Sequence, residues 1–285
     1  LDADTQLGPN FVDAALPLFD DPKVVAVAGC VHTDWNPSGV SLFGKLLISH
    51  RGRIYAVTQR LIKIGQTWRR SNALYIIPGF ASIYRTRVLP HIEINPPGLV
   101  IEDFNMTFEI YRRRLGRVDF TLDAWAVTQD PDRFGDYVRQ TKRWTLGFWQ
   151  TVRRYRLQAN LFSVMLTLLV VEQVISSMLF VLLPALISLG VLPMLFPDLL
   201  GIPRLGEFFS LISTHVDLEI VLVAVLFPDF LLTIAVTIIE RRPRYLLFAP
   251  AFLALRIIDS VIVLYTLPRA WTERSTGRWV SPTRR

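Results

Sequence analysis

A chain of 285 residues that is 51% hydrophobic and 19% charged, with a mean hydropathy of +0.36, is too apolar for an ordinary soluble domain and too charged for a purely membranous one. The net charge is +7, but Arg139, Lys142, Arg143, Arg153, Arg154 and Arg156 gather just before the first long apolar run. Membrane proteins place cytoplasmic basic residues there, so membrane lipids, and no nucleic acid, are the expected partner of that charge.

The chain opens on Asp2-Ala3-Asp4. Two carboxylates one residue apart at a strand end can hold a hard divalent cation that bridges two phosphates, although the same pattern is common in solvated turns. Between residues 9 and 19, Phe11, Ala14, Ala15, Leu18 and Phe19 recur at helical spacing, and residues 23–31 read as a buried strand. The single cysteine, Cys30, excludes an internal disulfide and a cysteine-based zinc site, and it suits a reducing cytoplasm. His32, His50, His91 and His215 lack ligand spacing and read as structural or surface residues.

Residues 42–64 follow a helical pattern with basic residues scattered among apolar ones. Residues 73–77 and 80–84 read as two short strands joined at the turn dipeptide Pro78-Gly79. Glu102-Asp103 opens a helix whose apolar face is Phe104, Phe108, Tyr111 and Leu115 and which Gly116 ends. A carboxylate there can cap the helix or take a proton from a hydroxyl. Two further short strands, 118–120 and 124–127, precede Asp130-Pro131 and a helix over 134–155.

That last helix carries Gln140, Arg143 and Trp144 at i, i+3 and i+4, which puts an amide, a guanidinium and an indole on one face. The amide and indole offer hydrogen bonds and a stacking surface for a sugar, and the guanidinium is a bidentate partner for phosphate. Trp149, Arg153 and Arg156 continue the helix and favour a place along the membrane interface.

Three apolar stretches follow, 161–196, 217–239 and 245–267, each long enough to cross a bilayer. Arg256 and Asp259 stand three apart in the last and can pair along one helix. Three crossings put residues 240–244 on the side of the residues before the first stretch and the arginine-rich tail, 269–285, opposite.

The order Asp2/Asp4, Glu102-Asp103, Gln140-x-x-Arg143-Trp144 and then membrane spans resembles the family-2 glycosyltransferases of the membrane-bound synthase type, the makers of cellulose, chitin, hyaluronan and poly-N-acetylglucosamine. Asp130-Pro131 and the closing Gly277-Arg278-Trp279 belong to the same resemblance. It departs at Ile101, where threonine is common, and at Asn105, where aspartate is frequent.

The resemblance implies an α/β fold. Residues 1–157 would be the C-terminal part of a GT-A (Rossmann-like) catalytic domain, and 158–285 an all-α transmembrane region. The elements that hold the nucleotide base would precede residue 1, so this stretch alone would be inactive. The implied reaction is inverting transfer from a nucleotide sugar, a UDP-sugar foremost, to a glycan or lipid-linked acceptor at the cytoplasmic membrane, with the catalytic part in the cytoplasm. Asp103 would be the general base with Glu102 in support, and Asp2 and Asp4 would hold Mg2+ or Mn2+. Gln140, Arg143 and Trp144 would bind acceptor sugar and diphosphate, and Gly79 would face the acceptor. The rival readings are a non-processive transferase acting on a lipid acceptor and a membrane transporter with a cytoplasmic regulatory domain.

Overall fold

The computed structural model describes residues 5–35, 39–68, 71–94, 96–215 and 217–274. Four strands, β1 (Thr5–Leu7), β2 (Val24–Thr33), β3 (Ser82–Tyr84) and β4 (Arg117–Thr128), form one mixed sheet in the order β1-β4-β2-β3. β2 is rich in valine and alanine and buried along nearly its whole length, as a central strand covered on both faces must be. It runs parallel to β4 and antiparallel to β3, while β1 pairs antiparallel with β4.

The two strands expected at 118–120 and 124–127 are one. Ala28 faces Phe120 but Cys30 faces Trp125, so β4 bulges between them and resumes its pairing. The strand expected at 73–77 is absent from the sheet. Its backbone is met by side chains instead: the Ile77 N–H donates to Thr107 Oγ1 at 2.9 Å, and the Tyr75 N–H to Gln66 Oε1 at 3.4 Å. Pro78-Gly79 therefore leads into β3 without closing a hairpin.

One core joins Ala26, Ala28 and Cys30 of β2 to Leu74, Ile77, Phe104, Phe108, Val118 and Phe120. A smaller one packs Phe11 and Ala15 of α1 (Phe11–Ala15) on Val24, Val27 and Ala124. Helix α2 (Leu42–Val57) continues through a π-helical turn (Thr58–Lys63) into α3 (Ile64–Thr67). α4 (Asp103–Arg112) stops short of the expected Gly116 because Arg114 turns left-handed at φ 54°, which lets the Leu115 N–H return to the Ile110 carbonyl at 3.0 Å.

α5 (Phe134–Arg154) follows the predicted helix closely. Gly147 lets it approach the loop that leads to Asp103, since a Cβ there would lie 2.8 Å from that of Ile101. Beyond it come α6 (Leu161–Leu195), α7 (Pro203–His215), α8 (Leu218–Glu240) and α9 (Arg244–Arg269). The stretches Leu161–Pro193, Glu219–Glu240 and Arg244–Arg269 are long and apolar enough to cross a membrane.

The chain divides into two compact units, Leu1–Glu172 with Ile262–Arg285, and Gln173–Val261. Within the first, the end of α9 packs on α5. Trp149 Nε1 donates to the Val263 carbonyl at 3.2 Å, Thr266 Oγ1 to Thr145 Oγ1 at 3.1 Å, and Gln150 Nε2 to the Glu273 carbonyl at 2.9 Å. These contacts hold the end of α9 and Glu273 against α5, with a buried indole and a buried amide as the donors. Within the second unit, Arg256 reaches Asp229 of α8 at 3.4 Å and stacks over Phe180. The pairing therefore runs between helices, and it offsets the desolvation of two charges in an apolar setting.

Candidate active site

α4 begins with Asp103, which is partly buried. Its Oδ1 accepts from the Phe104 N–H at 2.7 Å, and the Gly79 N–H donates to the same carboxylate. Thr107 ties the two segments together, accepting from the Ile77 N–H and donating to the Asp103 carbonyl at 2.9 Å. The 77–79 loop is thus pinned to the first turn of α4, which is why Gly79 meets Asp103. Glu102 is exposed beside it.

Burial pushes the Asp103 carboxyl up to about 7. The N–H groups of Phe104 and Gly79 and the charge of Arg143 oppose the rise, while the charge of Glu102 adds to it. Tyr84, on β3, has its hydroxyl raised well above the usual range by burial and then by Asp103 and Glu102.

Behind this carboxylate stands a lysine with no local signal in the sequence. Lys63 ends the π-helical turn, is 4% exposed, and holds its ammonium 5.4 Å from the centre of the Phe120 ring. Burial lowers it to about 8, against the pull of Cys30 and Asp103. Gln59, one turn earlier, anchors that segment to β2. Its side-chain amide accepts from the Val31 N–H and donates to the Val31 carbonyl at 2.9 Å, taking the place of a neighbouring strand beyond the end of β3. A π-turn carrying inward polar side chains is a frequent mark of a functional site.

Gln140, Arg143 and Trp144 project from α5 as their spacing requires, all partly buried. Arg143 acts electrostatically on Asp103. Gln140 and Trp144 surround a second residue absent from the expected site, Arg51 of α2, which is 3% exposed. Its guanidinium donates to Gln140 Oε1 at 3.3 Å and to Thr141 Oγ1 at 2.9 Å, and lies 4.7 Å from the Tyr137 ring centre and 4.6 Å from that of Trp144.

Glu102, Gly79 and Arg143 therefore act on the one carboxylate of Asp103, and Gln140 and Trp144 are joined through Arg51. Asp2 and Asp4 lie outside the described residues. Among the described residues no group of three His, Cys, Asp or Glu side chains could hold a metal ion. Asp130, two residues past the end of β4, is buried and accepts from the Tyr55 hydroxyl at 2.9 Å. Chemically, a carboxylate that titrates near neutrality can take a proton from a hydroxyl, and the adjoining guanidinium suits a phosphate.

The family model described as "Glycosyl transferase family group 2" matches residues 1–239 of the chain. No curated protein matches it.

Proposed function

The chain belongs to glycosyl transferase family group 2, and on that premise we propose that it is a membrane-bound transferase that inverts the anomeric carbon of a nucleotide sugar and builds a polysaccharide. The observation that carries this reading is the setting of Asp103: a partly buried carboxylate near neutrality, bonded by the Gly79 N–H and facing Arg143.

In this mechanism the acceptor hydroxyl gives its proton to Asp103. The freed oxygen attacks the anomeric carbon from the side opposite the diphosphate, a new C–O bond forms, and the bond to the diphosphate oxygen breaks. Gly79 holds the base in place through its N–H, and the exposed Glu102 adds negative charge that keeps Asp103 proton-avid. Arg143 and Gln140 receive the departing diphosphate, and Trp144 lends a ring to the acceptor sugar. Mg2+ or Mn2+ bound by Asp2 and Asp4 would supply neutralising charge to the diphosphate. The apolar helices anchor the site at the cytoplasmic membrane, with the catalytic unit in the cytoplasm.

Incubation of the purified full-length protein in nanodiscs with UDP- and GDP-sugars tests the reading. Release of nucleoside diphosphate, with a long glycan of inverted configuration by NMR, is the expected result. A single sugar added to lipid would replace polymer synthesis by non-processive transfer, and absence of transfer from every donor would overturn the assignment.

A further inference from the structure

Arg51 lies 89 positions before Gln140, on a different helix, and it decides what the α5 face can bind. A guanidinium has only N–H donors, so the Gln140 atom turned toward it must be the carbonyl oxygen. The same amide then offers its NH2 as the remaining polar end. Trp144 contributes an N–H donor and no acceptor, and one face of its ring is covered by Arg51. Arg143, one turn from Gln140 on the same face, is again donor-only. The hydroxyl of Thr141, which could have accepted from a ligand, is engaged by Arg51 instead.

We propose that Arg51 is a positioning residue that locks Gln140 in its donor orientation and clamps Trp144, so that the α5 face presents donors alone and takes the nucleoside diphosphate. The inference rests on the nucleotide-sugar reading above and deepens it. Arg51 acts through Gln140 and Trp144: the guanidinium lies between the Tyr137 and Trp144 rings, and its Nη2 alone donates to both Gln140 and Thr141. Lysine cannot reproduce this, because a compact ammonium lacks the planar surface that stacks between the two rings.

The test is equilibrium binding of Mg–UDP and Mg–GDP to the full-length protein in nanodiscs, normalised to folded protein, for wild type, Arg51→Lys, Gln140→Ala and the double variant. Whichever nucleotide the wild type binds should bind each single variant on the order of tenfold more weakly, the scale of one hydrogen bond to a charged group. The double variant should be no weaker than the poorer single, because both changes remove the same oriented donor. Melting curves on the same samples separate a packing role. If Arg51→Lys lowers the melting temperature but leaves affinity per folded molecule at the wild-type value, the proposal fails. It also fails if the two losses multiply to about a hundredfold, which would mean that Arg51 and Gln140 act independently. Wild-type protein that binds neither nucleotide would overturn the nucleotide-sugar reading itself, and this inference with it.

Discussion

Asp103 is costly to the fold and useful to the reaction for the same reason. Burial raises its carboxyl from the ordinary carboxylate range to about 7, so the folded protein holds a proton that the unfolded chain has already released. Stability contributed by this group therefore falls as pH rises from about 4 to about 7, and the full cost applies above that. Asp103→Asn should lower transfer by ~10² to 10⁴ through loss of the base. It should also melt at a higher temperature than wild type at pH 8, by a margin that shrinks toward pH 5. Calorimetric scans at the two values check this, and an Asn variant less stable at pH 8 would mean the carboxylate is well solvated. Because the base works only when ionised, transfer should fall on the acid side of about pH 7. Lys63 favours the ionised form while it keeps its own proton, which burial limits to below about pH 8. Lys63→Met should thus move the acid limb of the pH profile to higher pH, and an unmoved limb would detach Lys63 from the base.

The helix that spans α2, the π-turn and α3 sets where Arg51 and Lys63 enter the site, and its anchor is Gln59. The side-chain amide satisfies both polar backbone groups of Val31, so an apolar replacement would leave a buried N–H and a buried C=O unmet. Gln59→Leu should cost ~2–6 kcal/mol, from about 1–3 kcal/mol for each of the two orphaned groups. If the turn also positions Lys63, the surviving activity should show the same displaced acid limb as Lys63→Met. Denaturation midpoints together with pH profiles read both effects. α5 plays the complementary part: its close passage over Ile101 depends on Gly147, and any side chain there would press the helix away from the loop that bears Asp103.

At the scale of the molecule, the end of α9 returns to the catalytic unit, bonded by Trp149, Gln150 and Thr145 of α5. Thr272, exposed just past α9, should therefore be reachable from the same side of the membrane as the exposed Asp13 of α1. Single cysteines at the two positions, with buried Cys30 giving little background, should both react with an impermeant maleimide in inverted vesicles and neither in right-side-out ones. Labelling from opposite sides would overturn this prediction and fit three crossings. The metal is tested at this scale too, through the whole site. Asp4→Ala in the full-length protein should weaken nucleotide diphosphate binding to the level that a chelator produces in wild type, and calorimetry with and without chelator compares them. Unchanged metal dependence would make Asp2-Ala3-Asp4 an ordinary turn.

What the amino-acid sequence by itself determined are the features whose physics is local. Three apolar stretches are recognisable because a bilayer demands about 20 residues of low polarity in a row. Gln140, Arg143 and Trp144 share a face because helical periodicity puts them there, and the helix opened by Asp103 is marked by its own apolar repeat. β2 is legible as a buried run. What only the tertiary structure decided are the features that depend on neighbours far along the chain. A basic residue in a helical pattern looks like a solvated one, so Arg51 and Lys63 carry no signal until α5 and β4 close over them. Residues 73–77 have strand-like composition, yet they stay out of the sheet because Thr107 and Gln66 meet their backbone. The two short runs around Thr121 become one strand because pairing with β2 resumes after the bulge. The packing of the end of α9 on α5 was set by hydrogen bonds to residues more than a hundred positions earlier, which hydropathy and charge counts cannot register.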